Sequence, residues 1–273
     1  MTQLHQLEPM LKSLRLSGIL ETLETRSRQA VDEQWSFTDF LARLLQDEVE
    51  RRAQKQLATR IRRAALNSQK TLESFDFNFN PSINRQLIHE LSTASFVREK
   101  RNILICGPTG TGKSHVAQGL AHAVCRQGFN VLFTTADQMV RNLRASRADD
   151  SYERRLQQYL RCDLLVIDDF GLKPLTPPGP QDMYDVISGR YEVGSILLTS
   201  NRAPSEWMGL FHDPLLASAG LDRLVHNAYA IVISGASYRT HGSSLLQMAD
   251  TTTTLDSSGT SGSNMSPSDP LRV

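Results

Sequence analysis

A glycine-rich segment of this chain has the residue types and the spacing that phosphate binding requires. It reads Gly-Pro-Thr-Gly-Thr-Gly-Lys-Ser over residues 107–114, between a short apolar run and an amphipathic pattern typical of a helix. Glycines let the backbone turn so that successive N–H groups point toward one anion, and the first turn of the following helix adds further unpaired N–H groups. The segment therefore predicts a site for a nucleoside triphosphate.

Each position of this segment has an expected role. We expect Lys113 to place its ammonium against the β- and γ-phosphates, and we expect the Ser114 hydroxyl to be a ligand of Mg²⁺. The rest of the predicted phosphate cradle consists of Gly107, Pro108, Thr109, Gly110, Thr111 and Gly112. The alternative is a strand-to-helix turn that matches the pattern without binding a nucleotide, and the fitting strand and helix on either side argue against it.

Two adjacent carboxylates, Asp168 and Asp169, follow an apolar run over residues 164–167. Such a run is typical of a strand buried on both faces of a parallel sheet, and these sheets bind ligands at the carboxyl edge of their strands. Beside a phosphate-binding loop, Asp168 is expected to hold Mg²⁺ and Asp169 to act as a general base toward the attacking water. The alternative is a strand that ends in a polar turn.

Polar and basic residues near later strand patterns complete the predicted site. Asn201, or less favourably Thr199, could hydrogen-bond the γ-phosphate or the attacking water, although an asparagine that only caps the turn has the same pattern. Arginine suits the negative charge that phosphoryl transfer concentrates on the γ-phosphate, and the candidates are Arg223 and Arg239.

Positioning these side chains requires a domain of alternating strands and helices, for which the chain is long enough. Its 273 residues, 40% hydrophobic and 22% charged, predict one large α/β domain with a small accessory domain. Membrane spans and a secretory signal are not visible, and the three cysteines lack metal-binding spacing. We therefore expect a cytoplasmic protein with reduced cysteines and no membrane contact.

The order of patterns along the chain predicts its domain organisation. Apolar residues recur at helical spacing from Leu4 to Leu23 and again from Phe37 to Val49, and Pro81 is expected to open a further helix. The predicted parts are a helical domain over 1–70, a linker with a leading helix over 71–100, a nucleotide-binding domain over 101–245 and a disordered tail over 246–273.

A basic block lies at the end of the predicted helical domain. Its members are Arg51, Arg52, Lys55, Arg60, Arg62 and Arg63. Acidic residues are missing between Glu50 and Glu73, so a helix that carries this block could neutralise DNA phosphates. A solvated helix face, or a face that docks on an acidic partner, is an equal alternative, and the lack of interleaved aromatic residues argues against base stacking.

Several longer segments resemble one protein family. They are DLLVIDDFG (163–171), Arg190-Tyr191-Glu192 before LLTSNR (197–202), SEWMGLFHDPLLASAGLDRLVH (205–226) and ISGASYR (233–239). Over roughly residues 2–242 the chain resembles the IstB-type ATP-binding helper proteins of insertion-sequence transposons, which are relatives of the DnaC-type helicase loaders in the AAA+ class.

The resemblance implies a P-loop ATPase of the AAA+ class, with a parallel sheet flanked by helices, a small all-α domain before it and no full C-terminal helical lid. It further implies ATP and Mg²⁺ as cofactors and an ATP-dependent homo-oligomer that assembles on double-stranded DNA and engages a transposase. Matched residue by residue, it assigns Lys113 and Ser114 to Walker A, Asp168 and Asp169 to Walker B, Asn201 to sensor 1, Arg223 to the arginine finger and Arg239 to sensor 2. Asp169 departs from the glutamate usual in that class, and its shorter side chain is expected to slow turnover.

Three functions are compatible with these patterns. A transposition helper is favoured by the match over residues 205–242 and by the helical front domain. A helicase loader of the DnaC type would share the ATPase core and bind a replicative helicase through its front domain. A small-molecule P-loop kinase would need an acceptor pocket, and the sequence context of Arg223, suited to action across a subunit interface, argues against it.

Overall fold

The protein is described by a computed structural model that covers residues 2–211 and 213–238. Within those residues, five parallel strands form one sheet in the order β2-β3-β4-β1-β5. The strands are β1 (Asn102–Cys106), β2 (Val131–Thr135), β3 (Leu164–Phe170), β4 (Ser195–Ser200) and β5 (Ala228–Val232). Because β4 pairs with both β1 and β3, the carboxyl ends of these three strands lie side by side. The predicted α/β fold with a parallel sheet is confirmed.

Helices precede the sheet and cover both of its faces. The front helices are α1 (Thr2–Ser13), α2 (Ser17–Asp32) and α3 (Phe37–Arg63). The later ones are α4 (Arg85–Leu91), α5 (Ser95–Arg98), α6 (Lys113–Arg126), α7 (Ala136–Ser146), α8 (Tyr152–Leu160), α9 (Gly179–Arg190), a 3₁₀ helix (Pro204–Leu210) and α10 (Pro214–Val225).

The expectation that Pro81 opens a helix is wrong. Helix α4 begins four residues later at Arg85, where the Asn84 side chain accepts a hydrogen bond from the Leu87 N–H. Before it, the Asn80 side chain accepts hydrogen bonds from the backbone and the hydroxyl of Ser82, which holds Pro81 in a turn. Asparagine side chains of this kind compete with the backbone for N–H groups and therefore favour turns and helix starts over helix interiors.

The sheet is buried on both faces because its strands carry apolar residues in both directions. Along β3, Leu164 and Val166 face the layer that holds α6, while Leu165 and Ile167 face the layer that holds α7 and α9. Successive side chains of a strand point to opposite faces, so a strand between two helical layers needs an uninterrupted apolar run. This arrangement explains the apolar sequence that precedes the two carboxylates.

The front helices pack around a small core and a buried carboxylate. Ile19, Leu23 and Leu44 form the fully buried part of this core. Glu48 of α3 accepts hydrogen bonds from the N–H groups of Gly18, at 2.6 Å, and Ile19, and it pairs with Arg52. Burial raises the pKa of Glu48, but these hydrogen bonds outweigh that effect and lower it. The carboxylate therefore caps the first turn of α2, which fixes the hairpin of α2 and α3.

Helix α3 extends from the front helices into the sheet domain without interruption. Leu57 and Ile61 pack against the core on the α6 side of the sheet, and Ala64 is buried in it. The N–H of Phe133 on strand β2 donates to the carbonyl of Ala64 at 2.9 Å. The end of α3 is thus part of the sheet domain, while the predicted boundary near residue 70 stays a prediction.

The three cysteines have environments that fit the predicted reduced state. Cys106 and Cys125 are buried, Cys162 is partly buried, and all three are free thiols. Burial raises the pKa of each thiol, to about 11 for Cys125. A thiol with a raised pKa holds its proton at neutral pH and is a poor nucleophile.

None of the helices in residues 2–211 and 213–238 is long and apolar enough to cross a bilayer.

A buried guanidinium ties together the edge of the sheet opposite the predicted phosphate loop. Arg190 is 1% exposed, and burial lowers the pKa of its guanidinium. Its two terminal nitrogens donate to the carbonyls of Tyr159, Leu160, Cys162, Asp163 and Ser195 at 2.7–3.2 Å. These carbonyls belong to the end of α8 and to the starts of β3 and β4. Arg190 therefore fixes the amino ends of two central strands.

Replacing Arg190 by Met is expected to lower the free energy of unfolding by about 3 kcal/mol, because several buried carbonyls lose their donors at once. Chemical denaturation followed by circular dichroism measures the change. Arg161→Met, at an exposed arginine directly after α8, is the matched control and should stay within about 0.5 kcal/mol of the wild type. Equal stability of the two variants would contradict the role given to Arg190.

Candidate nucleotide site

The glycine-rich loop connects β1 to α6 and packs against the segment from Ile233 to Tyr238. Gly110 and Gly112 have φ angles of 84° and 96°, in the left-handed region that favours glycine. A Cβ at Gly107 would lie 1.9 Å from the carbonyl oxygen of Ile233, and one at Gly110 would lie 2.0 Å from Ser237 Oγ. The Tyr238 N–H also donates to the Gly110 carbonyl at 2.9 Å. The close contacts leave room only for glycine at these positions.

Lys113 lies at the first position of α6, where the free N–H groups of the helix point into the loop. Its side chain is 5% exposed, and its ammonium donates to the Pro108 carbonyl at 2.7 Å. The Thr111 hydroxyl donates to the same carbonyl at 2.9 Å. The ammonium group and the positive end of the helix dipole therefore act at one point, which is the requirement for binding a polyphosphate.

The predicted Mg²⁺ ligands meet across the sheet edge. Ser114 Oγ donates to Asp168 Oδ1 at 2.8 Å, so the loop and strand β3 are in direct contact. Asp168 is 6% exposed. A hydroxyl and a carboxylate are hard oxygen ligands of the type that Mg²⁺ prefers together with phosphate oxygens, and the two groups therefore fit this ion. Clusters of three or more His, Cys, Asp and Glu that could hold a metal by themselves are not found in the described part of the chain.

Asp169 occupies an unusual backbone conformation that directs it away from the regular strand. Its φ angle is 56°, and the pairing of β3 with β4 shifts between Ile167 and Phe170. A shift of this kind is a β-bulge, a device that re-aims a side chain. Aspartate is tolerated better than most residues in the left-handed region, which gives a local reason for aspartate at this position.

A cavity of about 420 Å³ lies above these groups and has a volume suited to a nucleotide. One wall comes from the predicted site, with Thr109, Gly110, Thr111, Gly112, Lys113, Ser114, Asp169 and Asn201. The structure thus brings Asn201 and Asp169 to the same cavity as the glycine-rich loop. Gly107 and Pro108 form the base of the loop, and Asp168 lies behind Ser114.

The rest of the cavity wall was missed by sequence reasoning. It consists of Lys70, Ser74, Phe75, Asp76 and Phe79 from the segment before α4, together with His115, Leu172 and Tyr238. The rings of Phe79 and Tyr238 are in edge contact with centroids 4.8 Å apart. The sequence predicts only a linker over this segment, because nothing in the spacing of its aromatic residues indicates a cavity.

The segment between α3 and α4 packs along α6 and is hydrogen-bonded to it. His122 donates to the Asn67 carbonyl and His115 to the Thr71 carbonyl, each from Nε2 at 2.9 Å. Phe75 reaches the start of the helix, where a Cβ on Gly112 would lie 2.8 Å from its ring. Burial lowers the pKa of His115, so its imidazole is neutral at physiological pH and does not add charge beside Lys113. The chain that follows α3 thus passes directly to the nucleotide cavity.

The two predicted arginines lie away from this cavity or outside the described residues. Arg223 lines a separate cavity of about 230 Å³ at the amino edge of the sheet, with Tyr191 and His226 among its neighbours. Its guanidinium donates to the Ala219 carbonyl and stands 5.6 Å from the ring centroid of Tyr184. A position at the opposite sheet edge does not serve the cavity of the same chain. Arg239, the stretch after it that is predicted to hold no full helical lid, and the tail over 246–273 lie outside the described residues.

The basic block of α3 forms part of an open groove. Arg52, Lys55, Arg60 and Arg63 line it together with Gln56, Thr59 and Asn130, and its lining carries no carboxylate in the part of the chain that the structure describes. Part of the block is neutralised nearby, since Arg51 pairs with Glu21 and Arg52 with Glu48. Arg60 also donates to the Cys125 carbonyl. Arg62 is exposed and lies outside the groove lining.

The fold of the sheet domain is found in solved structures of replication proteins. Domain III of the replication initiation protein DnaA from Thermotoga maritima superposes with a TM-score of 0.54 at 21% identity, covering 69% of this chain and 76% of that one. The DnaC helicase loader superposes with a TM-score of 0.52 at 20% identity, covering 61% of this chain and 97% of that one. These similarities confirm the predicted fold, a parallel sheet flanked by helices.

Sequence comparison extends to nearly the whole chain. The family model for IstB-like ATP binding proteins matches residues 9–245. A Mycobacterium tuberculosis protein, whose name describes it as ATP-binding and within an insertion sequence, is 38% identical over 84% of this chain and 92% of its own length. The corresponding protein of insertion sequence IS21 from Pseudomonas aeruginosa is 35% identical over 86% of this chain and 89% of its own length. The chain therefore belongs to the family of IstB-like ATP-binding proteins.

Proposed function

We propose that this protein is an ATP-dependent helper of transposition, which oligomerises on double-stranded target DNA and recruits or activates the transposase of its element. ATP hydrolysis then resets the assembly. The observation that carries the proposal is the meeting of Lys113, Ser114 and Asp169 at one cavity, with Asp168 hydrogen-bonded to Ser114 behind it, in a chain of this family. The names of its relatives, which refer to ATP binding and to insertion sequences, support the setting of the activity.

The arrangement of the cavity supports hydrolysis of the terminal phosphate. Lys113 and the N–H groups at the start of α6 bind the β- and γ-phosphates, and Ser114 with Asp168 would hold Mg²⁺, which supplies neutralising charge to the phosphate oxygens. Asp169 accepts a proton from water as the water attacks the γ-phosphorus, and Asn201 orients that water. The bond to the bridging oxygen breaks, and ADP and inorganic phosphate leave.

The position of Arg223 supports an assembly in which neighbouring copies complete each other's sites. Arg223 lies at the sheet edge opposite the nucleotide cavity. A second copy of the chain that stacks on that edge would therefore have this guanidinium beside its own nucleotide cavity. An arginine at such a place can stabilise charge on the γ-phosphate of the next copy. Hydrolysis then depends on contact between copies, which ties the lifetime of the assembly to its nucleotide.

The groove on α3 supports contact with the DNA backbone. Its four cationic side chains extend from Arg52 to Arg63, about 16 Å along the helix. This length corresponds to more than two successive phosphates of one DNA strand. Lys55 and Arg63 are exposed, and no salt bridge to either is found within residues 2–211 and 213–238. Both ammonium and guanidinium groups are therefore available to phosphate oxygens.

Asp169→Asn is expected to retain ATP binding and to lower hydrolysis by about 10²- to 10⁴-fold, because the amide cannot accept the proton of the attacking water. Phosphate release and binding of a fluorescent ATP analogue measure the two properties. Lys113→Ala is the matched variant in the glycine-rich loop and should lose binding itself, together with ATP-dependent assembly on DNA. Normal phosphate release by Asp169→Asn would move the general base to another residue.

For Arg223→Ala we expect loss of hydrolysis with ATP binding intact, and recovery when it is mixed with Asp169→Asn. A mixed interface pairs the intact Asp169 of one copy with the intact Arg223 of the other, so one site in each such pair is complete. The rate of phosphate release is measured across mixing ratios at constant total protein. A rate that stays at the level of the separate variants at every ratio would refute action between copies.

Removing the charges of Lys55 and Arg63 by the double change to Gln is expected to weaken binding to duplex DNA and to reduce its salt dependence. Two lost phosphate contacts should lower the slope of log K against log salt by about 1.8. Fluorescence anisotropy at several salt concentrations measures this slope. The control is a double change to Gln at Lys100 and Arg161, which are exposed and distant from the groove in sequence. An unchanged slope in the first variant would make the block a solvated face.

A further inference from the structure

Thr199 is a buried hydroxyl residue that contacts the carboxylate of Asp168 and the backbone N–H of Asp169. It is the fifth residue of β4, is 0% exposed, and is paired in register with Ile105 of β1. Its Oγ1 hydrogen-bonds Asp168 Oδ1, and the N–H of Asp169 hydrogen-bonds the same Oγ1 at 3.1 Å. One oxygen atom therefore contacts both residues that are proposed to act on ATP.

The direction of these hydrogen bonds follows from the chemistry of the groups. A backbone N–H can only donate, so Thr199 Oγ1 accepts from Asp169 and its own proton is available to the carboxylate of Asp168. Asp168 Oδ1 then accepts from two hydroxyls, those of Thr199 and Ser114. A carboxylate with two hydroxyl donors on one oxygen is held in a single orientation.

The second hydrogen bond fixes the bulge at Asp169. Ile167 pairs with Leu198 and Phe170 with Ser200, so β3 has one residue more than β4 over this stretch. The Asp169 N–H points to the side chain of Thr199 instead of to a carbonyl of the ladder. The left-handed conformation that aims the Asp169 side chain at the cavity is thereby tied to the same hydroxyl.

We infer that Thr199 is a positioning residue, which sets Asp168 toward Mg²⁺ and Asp169 toward the attacking water through one hydroxyl group. This inference rests on the proposed ATPase function for its consequence in catalysis. Its geometric basis is independent of that function, because it concerns how Asp168 is held. The effect expected from losing the hydroxyl is a weaker response to Mg²⁺ and a lower kcat, with little change in KM for ATP at saturating Mg²⁺.

The test follows binding of a fluorescent ATP analogue that resists hydrolysis while Mg²⁺ is titrated, using the full-length chain. Thr199→Val keeps the branched shape and removes both hydrogen bonds. We expect the Mg²⁺ concentration at half-maximal binding to rise about tenfold to hundredfold. Thr199→Ser keeps the hydroxyl and should restore the wild-type value. Where Thr199→Val does not fold, Thr199→Ala carries the same test, since it also lacks the hydroxyl and introduces no bulk.

Ser200→Ala is the matched control, because Ser200 is equally buried on the same strand. Its hydroxyl donates to the Phe170 carbonyl and accepts from the Trp207 indole, so its loss should lower the melting temperature and leave the Mg²⁺ titration unchanged. An unchanged titration in Thr199→Val, or an equal shift in Ser200→Ala, overturns the inference. Phosphate release is measured in parallel. A wild-type chain that hydrolyses no ATP would refute the proposed ATPase function, whereas the Mg²⁺ titration would still decide the role of Thr199.

Discussion

The hydrogen bond between Ser114 and the buried carboxylate of Asp168 joins the two halves of the candidate site, and much of the surrounding structure serves to make it possible. A carboxylate that is 6% exposed is costly to bury unless hydrogen-bond donors surround it. Those donors come from the start of α6, which follows β1, and from β4. The carboxyl ends of β1, β3 and β4 must therefore lie side by side. The parallel pairing of these strands through β4 provides that alignment.

The glycine-rich loop is shaped by its neighbours as much as by its own residues. The segment from Ile233 to Tyr238 lies beneath it so closely that a side chain at Gly107 or Gly110 would collide with it. On the other side, Phe75 packs against the start of α6 at Gly112. The loop is therefore held between the two segments that flank the sheet domain in the chain, and any change in its shape acts on both of them.

The segment between α3 and α4 connects the nucleotide cavity to the front helices. This segment is hydrogen-bonded to His115 and His122 of α6, and its aromatic residues form part of the cavity wall. Helix α3 itself is bonded to strand β2 at Ala64 and carries the basic groove. The groove and the nucleotide cavity are thus connected by one short piece of chain.

The sequence by itself determined the parts of this protein whose chemistry is local. The loop from Gly107 to Ser114 and the carboxylates after the apolar strand depend on residues close in the chain, so their patterns predict them. Only the tertiary structure decided which groups meet. The aromatic wall, the contact of Thr199 with both Asp168 and Asp169 and the position of Arg223 at the far edge depend on strand order and on packing between segments distant in sequence. The start of α4 was misplaced for a related reason, since the side chains of Asn80 and Asn84 overrode the helix signal of Pro81.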